Sequence, residues 1–429
     1  MSRTPIVLLM LLTSIQLAGC GACQRVAESR AQFLEEQATP QSGRGHHIVI
    51  QVPKGMIDRT LKTTERTLPK VSFRLPGLGD LGQYVGRLTL DPKKLSLDID
   101  RNQSVRLGVA LDVGYNRRVL FGLKLQAEAP VKYNANTGVM EIIVPHDLFK
   151  NVEPVFSDGA ITNLAKMLRG ELPQIARPLF PMSTVKRGAK KAISALSKNV
   201  YRMVRKEVLT PMGEMVRFRF QLPKLPIERA TLRSDRNGWS IGLRTTLPGD
   251  GIKNALATVP SSRVRVSVAT SMLASIGNWG METGALPSTF NRAGKAKKNG
   301  EFVAALGWRS DPRPLQVRLW TRAPETTGIC LYARAAGIPK VDLHRKRLRV
   351  SFKKGKLEEI DGPPLISSAA TLLGISKRTF GFTKTIALQN KLSLGTQSLK
   401  LTLQSASIGP SVLQFDFLTR PMKSAKSKG

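Results

Sequence analysis

The chain is 429 residues long and carries 67 Lys and Arg against 30 Asp and Glu, a formal net charge of +37. A field of that sign draws polyanions, whether nucleic acid or anionic headgroups, but no aromatics are interleaved with the basic residues as a single-strand stacking platform requires, so nucleic acid is not an expected partner. The four histidines fall in no H-E-x-x-H or Cys/His cluster and no G-x-S-x-G occurs, so no enzyme, cofactor or metal is expected.

The N-terminus has Arg3, a short apolar run Ile6–Leu12, and then Leu17-Ala18-Gly19-Cys20. The run is too short for a stable bilayer span, so residues 1–19 read as an export signal. The four residues ending at Cys20 resemble the bacterial lipobox. That resemblance implies cleavage before Cys20 and diacylglycerol on its sulfur, an anchor to which each buried methylene contributes about 0.8 kcal/mol. Gly21 stands where an aspartate would retain such a protein in the inner membrane, which favours the outer membrane, on its periplasmic or surface face. With Cys20 a thioether, Cys23 and Cys330 remain. They either form a bridge or leave Cys330 as a lone buried thiol, and the second is the expectation. Residues 20–45, with Gln, Ser, Pro and Gly, read as a flexible tether, extended or partly helical.

Order is expected from His46. Ile48, Ile50 and Val52 alternate as a strand, and Ile57, Leu61, Thr64 and Leu68 follow at helical spacing. From Lys70 to Val144 the period is two. Leu88 to Ile99, Val105–Val113, Val119–Leu125 and Val139–Val144 alternate, with Asp91-Pro92, Arg101-Asn102 and Asn136-Thr137-Gly138 as turns. Strands apolar on one face build an antiparallel sheet with one covered face. The G-x-G-x-x-G at Gly77–Gly82 precedes a strand and not a helix, so it is loop glycine and holds no pyrophosphate.

Two short helices, Ala160–Leu168 and Leu172–Leu179, lead into the longest amphipathic stretch, Val185–Leu209. Its stripe is Val185, Ala189, Ala192, Ile193, Leu196, Val200, Met203, Val204 and Val208. Between these stand Lys186, Arg187, Lys190, Lys191, Lys198, Arg202, Arg205 and Lys206, opposed only by Glu207. Because its flanks are strand-like, this helix must bury its stripe on a sheet.

The order of elements then restarts. Strands at Val216–Leu222 and Thr231–Leu247 are followed by Val264–Val268 as a strand, with Met272, Leu273 and Ile276 at helical spacing. Strands follow at Phe302–Trp308, Leu315–Trp320, Cys330–Ala333 and Val341–Phe352, then a helix with Leu365, Ile366, Ala369, Leu372 and Leu373, and strands at Thr385–Leu394, Leu399–Leu403 and Leu413–Leu418. The acidic pairs Asp98/Asp100 and Glu358/Glu359 read as solvated strand or turn faces, not as acid–base pairs.

An export signal and two successive runs of strand, helix, meander and longer helix resemble the tubular lipid-binding (TULIP) superfamily, and in layout its bactericidal/permeability-increasing protein group. The stretch Val264-Arg-Val-Ser-Val-Ala-Thr-Ser-Met-Leu-Ala-Ser-Ile276 is similar in style to module openings there. The resemblance implies an α+β fold of two tandem modules, each a curled antiparallel sheet wrapped on a long amphipathic helix. The modules would span residues 46–260, with connecting strands, and 261–420, before a disordered basic tail at 421–429. The disulfide of the vertebrate members has no counterpart, because two of the three cysteines sit in or beside the lipobox. The family's groove takes acyl chains. Candidate lipid-contacting residues are then Ala189, Ala192, Ile193, Ala195, Leu196, Val200, Met272, Leu273 and Ile276, where small or flexible side chains leave room. The candidate basic surface is Lys186, Lys190, Lys191, Lys198, Arg202 and Arg205. The expected function is a membrane-anchored envelope lipoprotein that binds or transfers phospholipid or lipid A. The alternative is an adhesive or assembly protein holding lipopolysaccharide or another anionic envelope polymer. Bound lipid is the one non-protein component foreseen.

Overall fold

Period-two alternation becomes three antiparallel sheets in the computed structural model, an α+β protein. The structure describes residues 21–421 apart from positions 22, 37–44, 75–79, 81–83, 100–103, 130, 143–152, 205–217, 223, 236–237, 253–258, 261, 292–294, 310–311, 323–329, 345–346, 363–382, 387–389 and 395–396. Cys20, Arg205, the helix expected around Leu365–Leu373, the basic tail and all of the Gly77–Gly82 loop but Asp80 therefore lie outside the described residues.

The first sheet has five strands in chain order: Val71–Phe73, Leu88–Ile99, Val105–Tyr115, Arg118–Ala129 and Val155–Phe156. Alternate residues Val105, Leu107, Val109, Leu111 and Val113 are all buried, as one covered face requires. Asp91-Pro92, expected as a turn, lies inside a single strand, whose register shifts between Pro92 and Lys94. A bulge is where a sheet tolerates the missing proline donor. Asp91 also holds Lys93 and Lys70 at 2.9 and 3.1 Å.

Five helices lie among the described residues: α1 (23–36), α2 (Lys54–Thr67), α3 (Ala160–Glu171), α4 (Met182–Val204) and α5 (Met272–Glu282). α3 packs on the first sheet and on α4. Asn163 Nδ2 donates to the Leu120 carbonyl at 3.0 Å. Val185, Ala189, Ala192 and Leu196 on α4 are fully buried in the principal core with Leu164, Ala165 and Leu168 of α3. The helix expected at Leu172–Leu179 is instead a run of turns, because Pro173, Pro178 and Pro181 remove backbone donors before a helix can propagate.

The central sheet has ten strands: Ile227–Asp235, Gly238–Thr245, Ile48–Pro53, Arg263–Ala269, Val412–Pro421, Gln397–Ile408, Asn390–Leu394, Phe218–Gln221, Val139–Ile142 and Val131–Asn134. Strands from both sides of residue 260 share it, four from the C-terminal side forming a block with three from the N-terminal side on each flank. Ile48 pairs with Leu243 on one side and with Val268 on the other. The expected boundary near residue 260 thus falls between strands that share one sheet.

A bidentate ion pair ties the middle of this sheet. Arg265 Nε and Nη2 donate to Asp416 Oδ1 and Oδ2 at 2.7 and 3.1 Å across directly paired strands. The Arg265 bond holds the Asp416 carboxyl below the usual carboxylate range. Asp416→Asn is expected to cost about 1.5–3 kcal/mol at pH 7, the range for hydrogen bonds to charged groups. A carboxyl depressed in the folded state contributes stability above the unfolded value of about 3.9, and that contribution is lost as pH falls through the lower folded value. The gap between parent and variant in urea melts should therefore close below pH 4. A constant gap from pH 7 to pH 2 would show that the pair contributes nothing.

The third sheet orders Thr289–Phe290, Phe302–Trp308, Leu315–Thr321, Tyr332–His344, Arg347–Asp361 and Thr383–Ile386. α5 docks on it through Asn278, whose side chain both donates to the Leu306 carbonyl and accepts from the Leu306 N–H, at 2.8 and 2.7 Å.

The N-terminal segment departs from the tether reading. Residues 23–36 form α1, and Cys23 is bonded to Cys330, 307 positions away, with the Cα atoms 5.0 Å apart. The lone-thiol expectation for Cys330 is thereby overturned: docking of α1 brings the second sulfur to it. Val26 and Phe33, seven residues apart on one helix face, are buried against Trp320, Cys330 and Tyr332. The Phe33 and Trp320 rings lie 5.4 Å apart, and the Arg318 guanidinium sits 4.4 Å over Phe33.

Candidate functional site

α2 starts where the strand Ile48–Pro53 ends, and its sequence splits into two faces. Met56, Ile57, Thr60, Leu61 and Thr64 are buried. Arg59, Lys62, Thr63 and Arg66 recur at the i, i+3, i+4 and i+7 positions of one helical stripe. Across from that stripe, Leu399 and Thr419 project from paired strands of the central sheet. Together they line an open groove of about 310 Å³, in which Met56 and Leu399 are the apolar residues and Arg59, Lys62 and Arg66 the cationic ones.

No carboxylate lines this groove among the described residues. The nearby Glu65 is committed elsewhere, accepting from Leu95 N–H at 2.7 Å. Thr60 and Thr63 donate their hydroxyl protons to the Met56 and Arg59 carbonyls at 3.0 and 2.9 Å. Their oxygens can therefore only accept from a ligand. The arrangement suits a molecule with an apolar part, an anionic group and hydroxyl donors.

The residues singled out from sequence are placed elsewhere. Ala189, Ala192 and Leu196 are fully buried, and Ile193 and Ala195 are half-buried on the same helix. Met272 is fully buried, while Leu273 and Ile276 are half-buried against the principal core. None of them lines the α2 groove. Val200 and Arg202 lie within α4, their side chains outside the described set. Lys186, Lys190, Lys191 and Lys198 are exposed, as is Arg187, and no acidic residue occurs from Met182 to Val204. The α2 cations were missed because the rest of the lining comes from strands more than 300 positions later in the chain. The available signal was a cationic stripe on a helix whose other face is apolar.

The histidine pair proves structural. Thr245 N–H donates to His47 Nδ1 at 3.2 Å, so that nitrogen accepts and the proton sits on Nε2. His46 Nε2 lies 2.7 Å from the Thr231 hydroxyl. Burial, with nearby arginines, lowers both imidazole pKa values. No group of three metal-capable side chains occurs among the described residues, and no described helix is long and apolar enough to cross a membrane.

No protein-family model matches the chain, and no curated protein matches it. Among solved structures, it is similar to P47 from Clostridium botulinum A2, at 11% identity and a TM-score of 0.41, over 88% of this chain and 97% of that one. P47 of Clostridium botulinum E1 gives 10% identity and 0.39, over 88% and 99%. A lipopolysaccharide binding protein gives 11% and 0.24, over 88% and 100%, and at such TM-scores none of these likenesses carries functional weight.

Proposed function

We propose that this chain is an exported, lipid-anchored envelope protein of TULIP-like build that binds an amphiphile with an anionic headgroup, of phospholipid or lipid A type, without catalysing a reaction. The observation that carries the reading is the α2 groove, which cationic and apolar side chains line together. The Cys23–Cys330 bond supports export, because disulfides persist in oxidising compartments. The lipid anchor rests on the lipobox-like residues ending at Cys20.

Native mass spectrometry of the purified protein tests it. Acyl lipid should co-purify, and Arg59→Glu/Arg66→Glu should lower its occupancy at least tenfold with an unchanged melting transition. The estimate follows from about 1 kcal/mol per cation beside an anionic headgroup, doubled by reversal. Unchanged occupancy in the charge-reversed protein would remove the groove from the function.

A second reading is favoured by α4. Its exposed Lys186, Arg187, Lys190, Lys191 and Lys198, with no acidic residue along the helix, form a face suited to a polymeric anion. Lys190→Glu/Lys191→Glu is the comparison arm. If it abolishes binding to lipopolysaccharide at low salt while the α2 variant binds like the parent, the basic face is the site.

A further inference from the structure

Among the described large apolar side chains, Ile175 at 90% and Leu179 at 74% are the two most exposed. Both stand in the turns at 173–181 that join α3 to α4, where the other exposed residues are Pro173, Gln174, Arg177, Pro178 and Pro181. Single exposed aliphatics are ordinary, but two of them four residues apart at nearly full exposure mark a contact surface.

The run is pinned and bonded within itself. Phe180 packs back against the principal core. The Arg177 guanidinium donates to the Leu172 and Gly170 carbonyls at 3.1 and 3.4 Å, tying the run to the end of α3. Pro173, Pro178 and Pro181 have no N–H to satisfy. The N–H groups of Ala176, Arg177, Leu179 and Phe180 donate to the Pro173, Ala176 and Arg177 carbonyls. Seven of the nine positions therefore present no free backbone donor.

The surroundings are cationic. From Lys166 to Lys198 the chain has eight Lys and Arg and one carboxylate, and that carboxylate, Glu171, accepts from the Tyr115 hydroxyl at 2.9 Å. Arg169 lies in the last turn of α3, and Lys186 and Arg187 lie about 6–8 Å along α4 from its first residue. All three are exposed.

We infer that 173–181 is a bilayer-docking turn, with Ile175 and Leu179 entering the acyl boundary of an anionic membrane and Arg169, Lys186 and Arg187 meeting its headgroups. Apolar burial and attraction to anionic lipid act together at such a surface. Internal satisfaction of the backbone is what a bilayer demands and a protein partner does not. The inference rests neither on the α2 groove nor on an acyl group at Cys20.

The test uses the full chain with the fluorescent residue acridonylalanine at position 175, at position 179, or at the exposed Lys297 between the first two strands of the third sheet. Vesicles of phosphatidylethanolamine and phosphatidylglycerol carry a doxyl quencher on their acyl chains. Quenching at 175 and 179 should exceed that at 297 by about fivefold, because only the turn enters the acyl boundary. In Lys186→Glu/Arg187→Glu the vesicle concentration for half-maximal quenching should rise about tenfold, with an unchanged melting transition. Equal quenching at the three positions, or none at 175 and 179, overturns docking through this turn. A midpoint that the charge reversal leaves in place overturns the anionic membrane as its partner. A label at 175 that responds to soluble, deacylated lipopolysaccharide but is not quenched by the vesicles assigns the turn to a polymer and overturns the inference as well. None of these outcomes depends on lipid held in the α2 groove, so the two readings fail separately.

Discussion

Leu196→Asp will leave no soluble folded protein, and Leu196→Ala will lower the unfolding free energy by about 2–5 kcal/mol, the range for truncating a buried leucine. The reason lies in the α4 stripe. Val185, Ala189, Ala192 and Leu196 follow one another at intervals of four, three and four residues, and each is fully buried. The other three are smaller, so Leu196 supplies the largest of these four fully buried side chains. An ionised carboxylate at that position would have no partner, and an uncompensated buried charge costs several kcal/mol or forces the helix off its seat. Lys198→Ala, two residues on and exposed, should change stability by no more than about 0.5 kcal/mol. Soluble yield and circular-dichroism melts of the three variants check this. A Leu196→Asp protein that is soluble and melts like the parent would place α4 on the periphery.

What was legible in the sequence was mostly local. Periodicity alone found α4, because an apolar stripe interrupted by eight cations has one arrangement that buries the first and solvates the second. It also found Val105–Tyr115, where strict alternation leaves little choice. Asp91-Pro92 misled because proline is both a turn former and a bulge residue, and only the partner strand decides between them. Residues 23–36 show a different limit: Val26, Phe33 and Leu34 are the large apolar side chains in a polar stretch, too few to announce a helix docked on the core. Val26 and Phe33 are buried by Trp320 and Tyr332, some 300 positions later, and the disulfide follows from that docking. The groove was hidden for the same physical reason. Long-range pairing assembles it, and a single stripe of cations on α2 does not say that Leu399 and Thr419 stand opposite. Of the candidate acyl-contacting residues, Ala189 and Ala192 are fully buried, their small side chains packed in the principal core.

Gly238→Ala will be the most damaging single-methyl change, lowering stability by about 3–5 kcal/mol and disturbing the α2 groove with it. Gly238 opens the strand Gly238–Thr245 with φ at +141°, a conformation that a side chain disfavours by about 1–3 kcal/mol. It lies directly opposite Pro53 in the central sheet. A methyl group on it would stand 2.6 Å from Lys54 N and 2.9 Å from Pro53 C, and closer still to the Val52 carbonyl oxygen. All three are backbone atoms, so no side-chain rotation relieves the clash, and overpacking adds about 1–3 kcal/mol. Those atoms are the joint between the strand Ile48–Pro53 and the first turn of α2. Moving them shifts Arg59, Lys62 and Arg66 against Leu399 and Thr419, so co-purifying lipid should fall along with the melting temperature. Gly284→Ala is the control: its φ of +75° is also left-handed, but no atom lies within 4 Å of the added methyl, so only about 1 kcal/mol of backbone preference is lost. Thermal melts separate the two cases, since strain alone would make the variants alike and the backbone clash makes Gly238→Ala much the worse. A Gly238→Ala protein that melts with Gly284→Ala and keeps its lipid would show that the strand-to-α2 joint is not what holds the groove's cations in place.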